Sequence, residues 1–458
     1  MSNRAEDAAR FRAAVDTKPG DRVAWHNLAS AEGDLGRAAE SEAAARRAIA
    51  LGIAAPETRL VLARALQGLR RFDEAERAFE AAIALRPGYP DAHRDLAQLV
   101  WMRTGDAAAA LARVDEALRA SPGLAGLHWV RSIVREFAGD AVGALEAARK
   151  GLDRAPDDAT LLRQAAHLSL EAGDVEGGLT YAQQAALRAP GTGAEASVCE
   201  ALLAAGRAAE ADAIAAALCK ARPHDQYALA LQSTAWRIVG DARYPAMNDY
   251  ARFVQTQKLD VPAGFATLDT FLAELATTLD RLHGFAAHPL QQSVRGGSQL
   301  HLQAAELANP LIAALFRSIV AAIERYVGKL DSGDGPLPSR NTGRFALSGA
   351  WSVRLRSGGH HADHVHPHGW ISSACYIALP PTVGRGCEAS AGSRDADRAG
   401  WLRLGKPAMP TQPRLAADHY VRPEPGLLVL FPAYVWHGVE PFESDTARLS
   451  VAFDVVPN

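Results

Sequence analysis

The first half of the chain repeats a pattern of about 34 residues, and this period constrains the fold more than any other feature. The recurring prolines are Pro87, Pro122, Pro156, Pro190 and Pro223, spaced by 35, 34, 34 and 33 residues, and the recurring glycines are Gly105, Gly139, Gly173 and Gly206, spaced by 34, 34 and 33. Between them, apolar and small residues follow helical spacing, as in Leu60, Ala63 and Leu66. Glycine suits a turn between two helices, and proline ends a helix. Because one helix pair cannot bury its apolar face alone, the sequence predicts stacked pairs.

A period of this length matches the tetratricopeptide repeat, a helix-turn-helix unit. We count about six repeats from residue 22 to residue 224, followed by a capping helix over residues 227–238. The predicted repeat domain therefore covers residues 1–245. Arrays of this kind commonly expose a concave surface that binds a peptide or a protein. A spacer or a self-association scaffold is the alternative.

Composition excludes several classes of function. A chain of 458 residues should fold into two or three domains. A net charge of -3 and a pI of about 6.6 argue against nucleic acid or an anionic membrane as a partner. The four cysteines have no CxxC spacing, and no secretory signal or membrane-spanning apolar run is visible. We expect a cytoplasmic protein without a membrane partner, and the oligomeric state stays open.

Histidines concentrate in one short stretch of the second half. Five of the 15 lie within nine residues, namely His360, His361, His364, His366 and His368. In an extended chain, His364 and His366 share a face and can point into one cavity. Neutral imidazole is a common metal ligand. His361 and Asp363 share the opposite face and form a rival pair, while a histidine-rich surface loop is the structural alternative.

The remaining C-terminal third reads as short strands from residue 343 onwards, which predicts a double-sheet jelly roll. Residues 265–284 and 302–329 read as amphipathic helices on the outside of the sheet. After a buried-strand run at residues 426–432 come His437 and then Arg448, which begins an alternating strand with Ser450 on its own face. The Gly- and charge-rich residues 383–399 form an insertion that we expect over the pocket mouth.

This layout resembles the Fe(II)- and 2-oxoglutarate-dependent oxygenases, whose usual pattern is His-x-Asp, a distant His and then Arg-x-Ser. It is similar in particular to bacterial oxygenases of this class fused to tetratricopeptide repeats. The matching stretches are HPLQQSVRGG at 288–297, WSVRL at 351–355, HVHPHGWISS at 364–373, LFP at 430–432 and WHG at 436–438. The resemblance covers residues 246–458. It departs from the wider pattern because His-x-His, or else His361-Ala-Asp363, occupies the His-x-Asp position.

The resemblance implies a fold, a ligand set and an activity. The fold is an N-terminal all-α repeat solenoid followed by a double-stranded β-helix, or jelly roll, with flanking helices. Residues implied as Fe(II) ligands are His364, His366 and His437, with His361 and Asp363 left open as replacements. Residues implied to bind 2-oxoglutarate are Arg448, through its guanidinium, Ser450 and Tyr376, although Tyr376 fits a core position equally well.

The implied activity is that of a dioxygenase that hydroxylates a protein or peptide recruited by the repeats. A scaffold whose oxygenase domain has lost catalysis is one alternative, since no carboxylate is certain among the ligands. An oxygenase for a small molecule, with the repeats used for assembly, is another. We also expect the domain of residues 246–458 to bind metal when it is separated from the repeats.

Overall fold

A computed structural model describes residues 2–191, 193–330, 333–383 and 398–458. The chain forms two compact units, Met1–Pro156 and Asp157–Asn458. Most of the insertion expected at residues 383–399, including Cys387, lies outside the described residues.

The first unit consists of helices. They are α1 Ser2–Thr17, α2 Arg22–Asp34, α3 Ala38–Ala50, α4 Pro56–Gly68, α5 Phe72–Leu85, α6 Pro90–Thr104, α7 Ala107–Ala120, α8 Ala125–Phe137 and α9 Ala141–Leu152. Buried alanines such as Ala63, Ala75 and Ala82 let neighbouring helices approach closely. Gly105 and Gly139 have φ of 69° and 89°, a conformation in which a side chain would be strained. The predicted stacked helix pairs are confirmed.

The second unit begins with more helices of the same kind and continues into a mixed region. Its helices are α10 Ala159–Glu171, α11 Val175–Arg188, α12 Ala194–Ala204, α13 Ala208–Ala221, α14 Gln226–Val239, α15 Arg243–Met247, α16 Tyr250–Phe253, α17 Leu268–Asp280, α18 Ala304–Leu307 and α19 Pro310–Val327, with a 3-10 helix at Pro338–Arg340. The carboxylate of Asp225 caps α14 by accepting from the backbone N–H groups of Tyr227 and Ala228. Helix α14 occupies the predicted capping position, and α17 and α19 fall within the two predicted amphipathic stretches.

The strands of the second unit form one antiparallel sheet within the described residues. They are β1 Gln255–Lys258, β2 Val294–His301, β3 Phe345–His364, β4 Ile371–Ala378, β5 Leu402–Leu404, β6 His419–Val421, β7 Leu427–Pro432, β8 His437–Val439 and β9 Arg448–Pro457. Their order is β1-β7-β4-β9-β3-β8-β5-β6, and β2 pairs with β3. The predicted C-terminal region of short strands is therefore confirmed as one strand-rich, curled sheet.

Strand β3 is longer than the sequence suggests. From the sequence, the run at residues 351–356 reads as a strand that Gly358 and Gly359 break, yet β3 extends over 20 residues and ends at His364. Gly358 has a φ of 72°, and its backbone N–H donates to the Phe442 carbonyl oxygen at 2.8 Å. The glycines bend the strand without ending it. As a result, β3 pairs with β9 along its first half and with β8 near its end.

The two faces of β9 have different surroundings. Leu449, Val451 and Phe453 are buried in a large hydrophobic cluster that includes Leu275 of α17 and Ile319 of α19. The helices therefore cover this face, and burial of its apolar side chains stabilises the sheet. The alternate residues of β9 face the other way, into the curl of the sheet.

The second unit includes the last helices of the repeat array. Asp157 begins it, ahead of the domain boundary that we predict at residue 245. That boundary stays a prediction, because compact packing and independent folding are separate properties. Within the described chain, no helix has the length and apolar character needed to cross a bilayer.

Candidate functional site

Two paired strand ends bring distant histidines together. His364 is the last residue of β3, His437 is the first residue of β8, and the two residues are register partners. His366 follows β3 in the loop before β4, where its backbone N–H donates to the Ala433 carbonyl oxygen at 3.1 Å. The predicted common face of His364 and His366 is therefore present, and β8 adds the third imidazole.

The three imidazoles are close enough to hold one metal ion. A ligand nitrogen from each of His364, His366 and His437 lies within 4.8 Å of the others. The His364 and His437 ring centres are 4.2 Å apart, and each lies 5.1 Å from the centre of His366. The Nε2 atoms of His364 and His366 are 3.2 Å apart. Nitrogens that share one ion at about 2.1 Å must lie roughly 3 Å from each other, so the spacing of His364 and His366 fits a shared ion.

Each imidazole is oriented by a hydrogen bond at its other nitrogen. Nδ1 of His364 lies 2.9 Å from the Ala362 carbonyl oxygen, and Nδ1 of His437 lies 3.0 Å from the Val435 carbonyl oxygen. Since a carbonyl oxygen only accepts, both Nδ1 atoms carry the proton. Their Nε2 atoms are then free to bind a metal. Nδ1 of His366 contacts a carboxylate oxygen of Asp454 at 2.5 Å, an arrangement that supports many metal-bound histidines.

Burial keeps the imidazoles of His364 and His437 in the neutral form that binds metals. It lowers the pKa of His364 to about 3, with a further contribution from the neighbouring His366. Burial also lowers the pKa of His437 well below its usual value, assisted by His364 and His366. With Nδ1 as donor, the Nε2 atoms of His364 and His366 present lone pairs to each other across 3.2 Å. Such a contact needs a cation or a proton between the nitrogens, so the donor set fits a divalent metal such as Fe(II).

His361 and Asp363, the alternative pair of metal ligands, form hydrogen bonds and ion pairs with other residues. Asp363 accepts from Nε and Nη2 of Arg403 at 2.7 and 3.0 Å, and Lys406 adds an ion pair at 3.3 Å. Both side chains of the Asp363–Arg403 pair are 7% exposed. Nδ1 of His361 lies 3.1 Å from the Ser293 hydroxyl, and the His361 ring stacks on His364 at 5.9 Å. His361 therefore borders the three-histidine centre, whereas the Asp363 carboxylate is held by cations on the opposite face.

Arg448 and its neighbours lie inside the curl of the sheet. The Arg448 side chain is 1% exposed, and its Nη1 lies 3.4 Å from the Ser450 hydroxyl. The Arg448 guanidinium lies 5.1 Å from the centre of the Tyr376 ring, and Tyr376 is a register partner of Ser450. Burial raises the pKa of Tyr376 to about 12, although the nearby arginine opposes this shift. The structure thus brings all three residues predicted to bind the cosubstrate into one place.

Arg448 has no anionic partner among the described residues. Its Nε and the Tyr376 hydroxyl are both buried without a hydrogen-bond partner in that part of the chain. Glu443, which lies five residues before Arg448 in the chain, accepts from the Ser357 hydroxyl at the surface. Burial lowers the pKa of Arg448, because a charged group loses its hydration there. An unpaired buried guanidinium is unfavourable, so this pocket suits a ligand carboxylate.

The arginine pocket adjoins the three-histidine centre. The positive charge of Arg448 contributes to lowering the pKa of His361, after burial and His364. Because the His361 ring stacks on His364, the two sites are neighbours. Strand β9 also spans both, since Asp454 on the same alternating face contacts His366.

Sequence reasoning missed one member of this site. Asp454 was missed, although extending the alternation of Arg448 and Ser450 along β9 would have found it. Trp370 is a packing residue, with its indole N–H donating to the Leu337 carbonyl oxygen at 2.8 Å. Arg295 donates to nearby backbone carbonyl oxygens.

Comparison with known families confirms the resemblance in both parts of the chain. A family model described as "Putative 2OG-Fe(II) oxygenase" matches residues 349–454. A tetratricopeptide-repeat model matches residues 60–125. The first match includes the three histidines and Arg448. A search of curated proteins finds no match.

Several solved helical-repeat structures are similar to part of the chain. A thermophilic repeat protein of Thermus thermophilus is 23% identical, covering 40% of this chain and 99% of its own, with a TM-score of 0.33. The Cut9–Hcn1 hetero-tetramer of the APC/C is 13% identical, covering 51% of this chain and 46% of its own, with a TM-score of 0.37. PilF of Pseudomonas aeruginosa is 14% identical, covering 47% of this chain and 99% of its own, with a TM-score of 0.35. Scores this low carry no conclusion about this chain.

Proposed function

We propose that this chain is an Fe(II)- and 2-oxoglutarate-dependent dioxygenase that hydroxylates a protein or peptide bound by its repeats. A buried arginine without an anionic partner among the described residues, next to three convergent imidazoles, supports this proposal most directly. Neither feature serves folding well. Unpaired buried charge is unfavourable, and imidazole lone pairs at close range repel each other.

The proposed roles follow from the contacts of each side chain. His364, His366 and His437 hold the metal through Nε2, and Asp454 orients His366. Fe(II) and 2-oxoglutarate, when bound, supply the oxidation of a C–H bond coupled to formation of succinate and CO2. Arg448 binds the distal carboxylate of 2-oxoglutarate, because a guanidinium donates two parallel hydrogen bonds to a carboxylate.

Two neighbours of Arg448 complete the proposed cosubstrate pocket. The Ser450 hydroxyl lies beside the guanidinium and can donate to the same carboxylate. The Tyr376 ring packs against the guanidinium, and its buried hydroxyl is available to the cosubstrate. Closing the pocket in this way excludes water from the reacting groups.

The proposal extends to the fold and the partner. The β1-β7-β4-β9-β3-β8-β5-β6 order, with helices on one face and the site on the other, supports a double-stranded β-helix. The repeats support a protein or peptide as the substrate, since arrays of stacked helix pairs commonly present a binding groove.

Calorimetric titration of 2-oxoglutarate into the anaerobic, Fe(II)-loaded full chain tests the cosubstrate site. We expect binding by the wild type. Arg448→Lys keeps the charge but loses the two-pronged geometry, so it should bind 2-oxoglutarate at least about tenfold more weakly and retain iron. Arg340→Lys is the matched control, since among the described residues Arg340 donates only to the Gly369 carbonyl oxygen. Lack of 2-oxoglutarate binding by the wild type would favour the scaffold alternative.

A second assay separates a protein substrate from a small molecule. Succinate formation by the full chain is measured with the macromolecular and the low-molecular-mass fractions of a cell extract. Stimulation by the macromolecular fraction, together with gain of one oxygen atom on a protein, is the expected result. If only the low-molecular-mass fraction stimulates succinate formation, the result would support an oxygenase for a small molecule whose repeats serve assembly.

A further inference from the structure

The side chains of Val365 and Trp436, which are next to the three histidines in sequence, point away from the candidate metal centre and into the helical repeats. Val365 separates His364 from His366, and Trp436 precedes His437. Their side chains are 7% and 4% exposed. Both belong to one hydrophobic cluster whose other members come mainly from α10 to α14, including Leu170, Leu202, Ala230 and Leu231. Each histidine segment thus presents ligands on one side and apolar anchors on the other.

A chain of directed contacts fixes the orientation of Trp436. Its indole N–H donates to the Thr234 hydroxyl at 2.9 Å, and that hydroxyl donates to the Ala230 carbonyl oxygen at 2.8 Å. The edge of the Tyr227 ring meets Trp436, with ring centres 5.6 Å apart. The Tyr227 hydroxyl in turn donates to Glu200 of α12 at 2.6 Å. Such a buried and satisfied network holds a side chain in one rotamer.

Backbone hydrogen bonds fix the same two segments. The Gln226 N–H, at the start of α14, donates to the Pro367 carbonyl oxygen at 3.3 Å. The Trp436 carbonyl oxygen accepts from the Gly405 N–H at 2.7 Å. Arg237 of α14 donates to the Gly405 carbonyl oxygen at 2.8 Å. Helix α14 therefore holds the backbone of the His364–His366 segment directly and the backbone of the His437 segment through residue 405.

We infer that α12 and α14 position the metal ligands, and that Trp436, held by Thr234, is the positioning residue for His437. This inference rests on the proposed metal site. Metal affinity depends on ligand nitrogens held close to their bound positions before the ion arrives. Trp436 and His437 are adjacent in the chain, so rotation of the indole shifts the backbone that carries the imidazole. The last repeats thus form part of the metal site in addition to any role in substrate binding.

Co(II) titration of the full chain, followed by its visible absorption and by chelator competition, tests the inference. Thr234→Val keeps the shape of the side chain but removes the acceptor for the indole N–H. We expect about tenfold weaker Co(II) binding and a changed absorption spectrum, as for other residues that orient metal ligands. Thr234→Ser restores the hydroxyl and should restore wild-type affinity. Thr180→Val is the matched control, because the Thr180 hydroxyl makes the same type of bond to a helix carbonyl oxygen, at 2.9 Å, on an exposed face.

A second variant covers the case in which Thr234→Val fails to fold. Trp436→Phe keeps an aromatic ring in the cluster and lacks the N–H group, and it should weaken Co(II) binding in the same direction. Wild-type affinity and spectrum in whichever of these two variants folds, judged by circular dichroism, would overturn the inference. Absence of Co(II) binding by the wild type would overturn the proposed metal site itself, and the inference with it. The two failures are therefore distinguishable.

Discussion

The hydrogen bonds at Nδ1 decide which histidine nitrogens can bind a metal. His364 and His437 donate to backbone carbonyl oxygens, whereas His366 meets the carboxylate of Asp454. Only His366 has a support that a point mutation can remove. The negative charge of Asp454 also strengthens the imidazole of His366 as a ligand. At the scale of single residues, the candidate site therefore consists of three proposed ligands and one carboxylate that contacts one of them.

Replacing His366 and Asp363 separately should distinguish the two candidate ligand sets. His366→Ala removes a proposed ligand, so we expect at least about a hundredfold loss of iron affinity in a folded protein. Asp363→Asn should retain iron and lower the free energy of unfolding by about 3 kcal/mol, because it leaves the buried Arg403 with a weaker partner.

Metal analysis and chemical denaturation of both variants measure these effects. Glu440 remains beside Arg403 at 3.0 Å in the second variant and limits its destabilisation. Full iron content in His366→Ala, with loss in Asp363→Asn, would show that His361 and Asp363 hold the metal instead.

The alternation of side chains along an extended strand predicts which residues of this site share a face, but not which face points inward. The alternation along an extended chain places His364 with His366, and Arg448 with Ser450. It cannot tell which face of the 360–370 stretch points inward, since both faces carry possible ligands. The Arg403 side chain decides this by holding Asp363, and Arg403 is 40 residues away in sequence. No local pattern reveals such a pairing.

Two histidines at equivalent positions in α6 and α8 are expected to make the first unit sensitive to acid. Nε2 of His93 in α6 lies 2.8 Å from the Pro87 carbonyl oxygen, and Nε2 of His128 in α8 lies 3.3 Å from that of Pro122. Both Nε2 atoms must donate, which leaves each Nδ1 deprotonated and without a partner among the described residues. Burial lowers the pKa of both histidines, and the hydrogen bond to the proline carbonyl oxygen opposes this shift only in part.

Lowering the pH from about 7.5 to about 5.5 should therefore destabilise these helices. The pKa of each histidine is lower in the folded chain than its unfolded value of about 6.5, so the unfolded chain takes up protons first. The contribution of the two neutral histidines to stability is therefore complete above a pH of about 6.5 and declines as the pH falls below it. We expect the double variant His93→Gln, His128→Gln to lose fewer degrees of melting temperature than the wild type over this range.

Circular dichroism melts at the two pH values measure the difference. His224→Gln, which replaces an exposed histidine, is the control and should behave as the wild type. An equal loss of melting temperature in the wild type and the double variant would contradict this explanation of acid sensitivity.

The sequence predicted helices better than strands, for physical reasons. The 34-residue period is marked by glycines and prolines whose backbone preferences are strong, so the helix ends lie near the predicted turns. Strand β1 is the polar tetrapeptide Gln255–Lys258, and β2 contains Gly296 and Gly297. Neither has the apolar alternation that identifies a strand from sequence. Pairing with β7 and β3 makes them strands, and that pairing is a tertiary effect.

Two fragments of the molecule should differ in metal binding. A fragment of residues 157–458 keeps the whole second unit, and we expect it to bind Co(II) as the full chain does. A fragment of residues 246–458 lacks α10 to α14 and exposes Val365 and Trp436, which the full chain buries. We expect at least about tenfold weaker Co(II) binding by the shorter fragment, because its ligand segments lose their supports.

The competing hypothesis is that residues 246–458 form an independent domain. It follows from the loss of the 34-residue period after Pro223, which marks where the repeats end in sequence. A sequence period cannot show that the final helices also pack on the sheet. Equal Co(II) affinity of the two soluble fragments would support the independent domain and contradict our expectation.

Strand β9 fixes the distance between the two ends of the candidate site. Arg448 and Asp454 lie six positions apart on one pleated face, so their Cα atoms are separated by roughly 20 Å of rigid backbone. A substitution at Arg448 or Asp454 can change the contacts of that residue without changing the distance between the two Cα atoms. Inserting one residue between them would instead turn one end toward the helices, because neighbouring side chains face opposite ways. An insertion or deletion of one residue within β9 should therefore abolish the site, whereas substitutions can weaken it by different amounts.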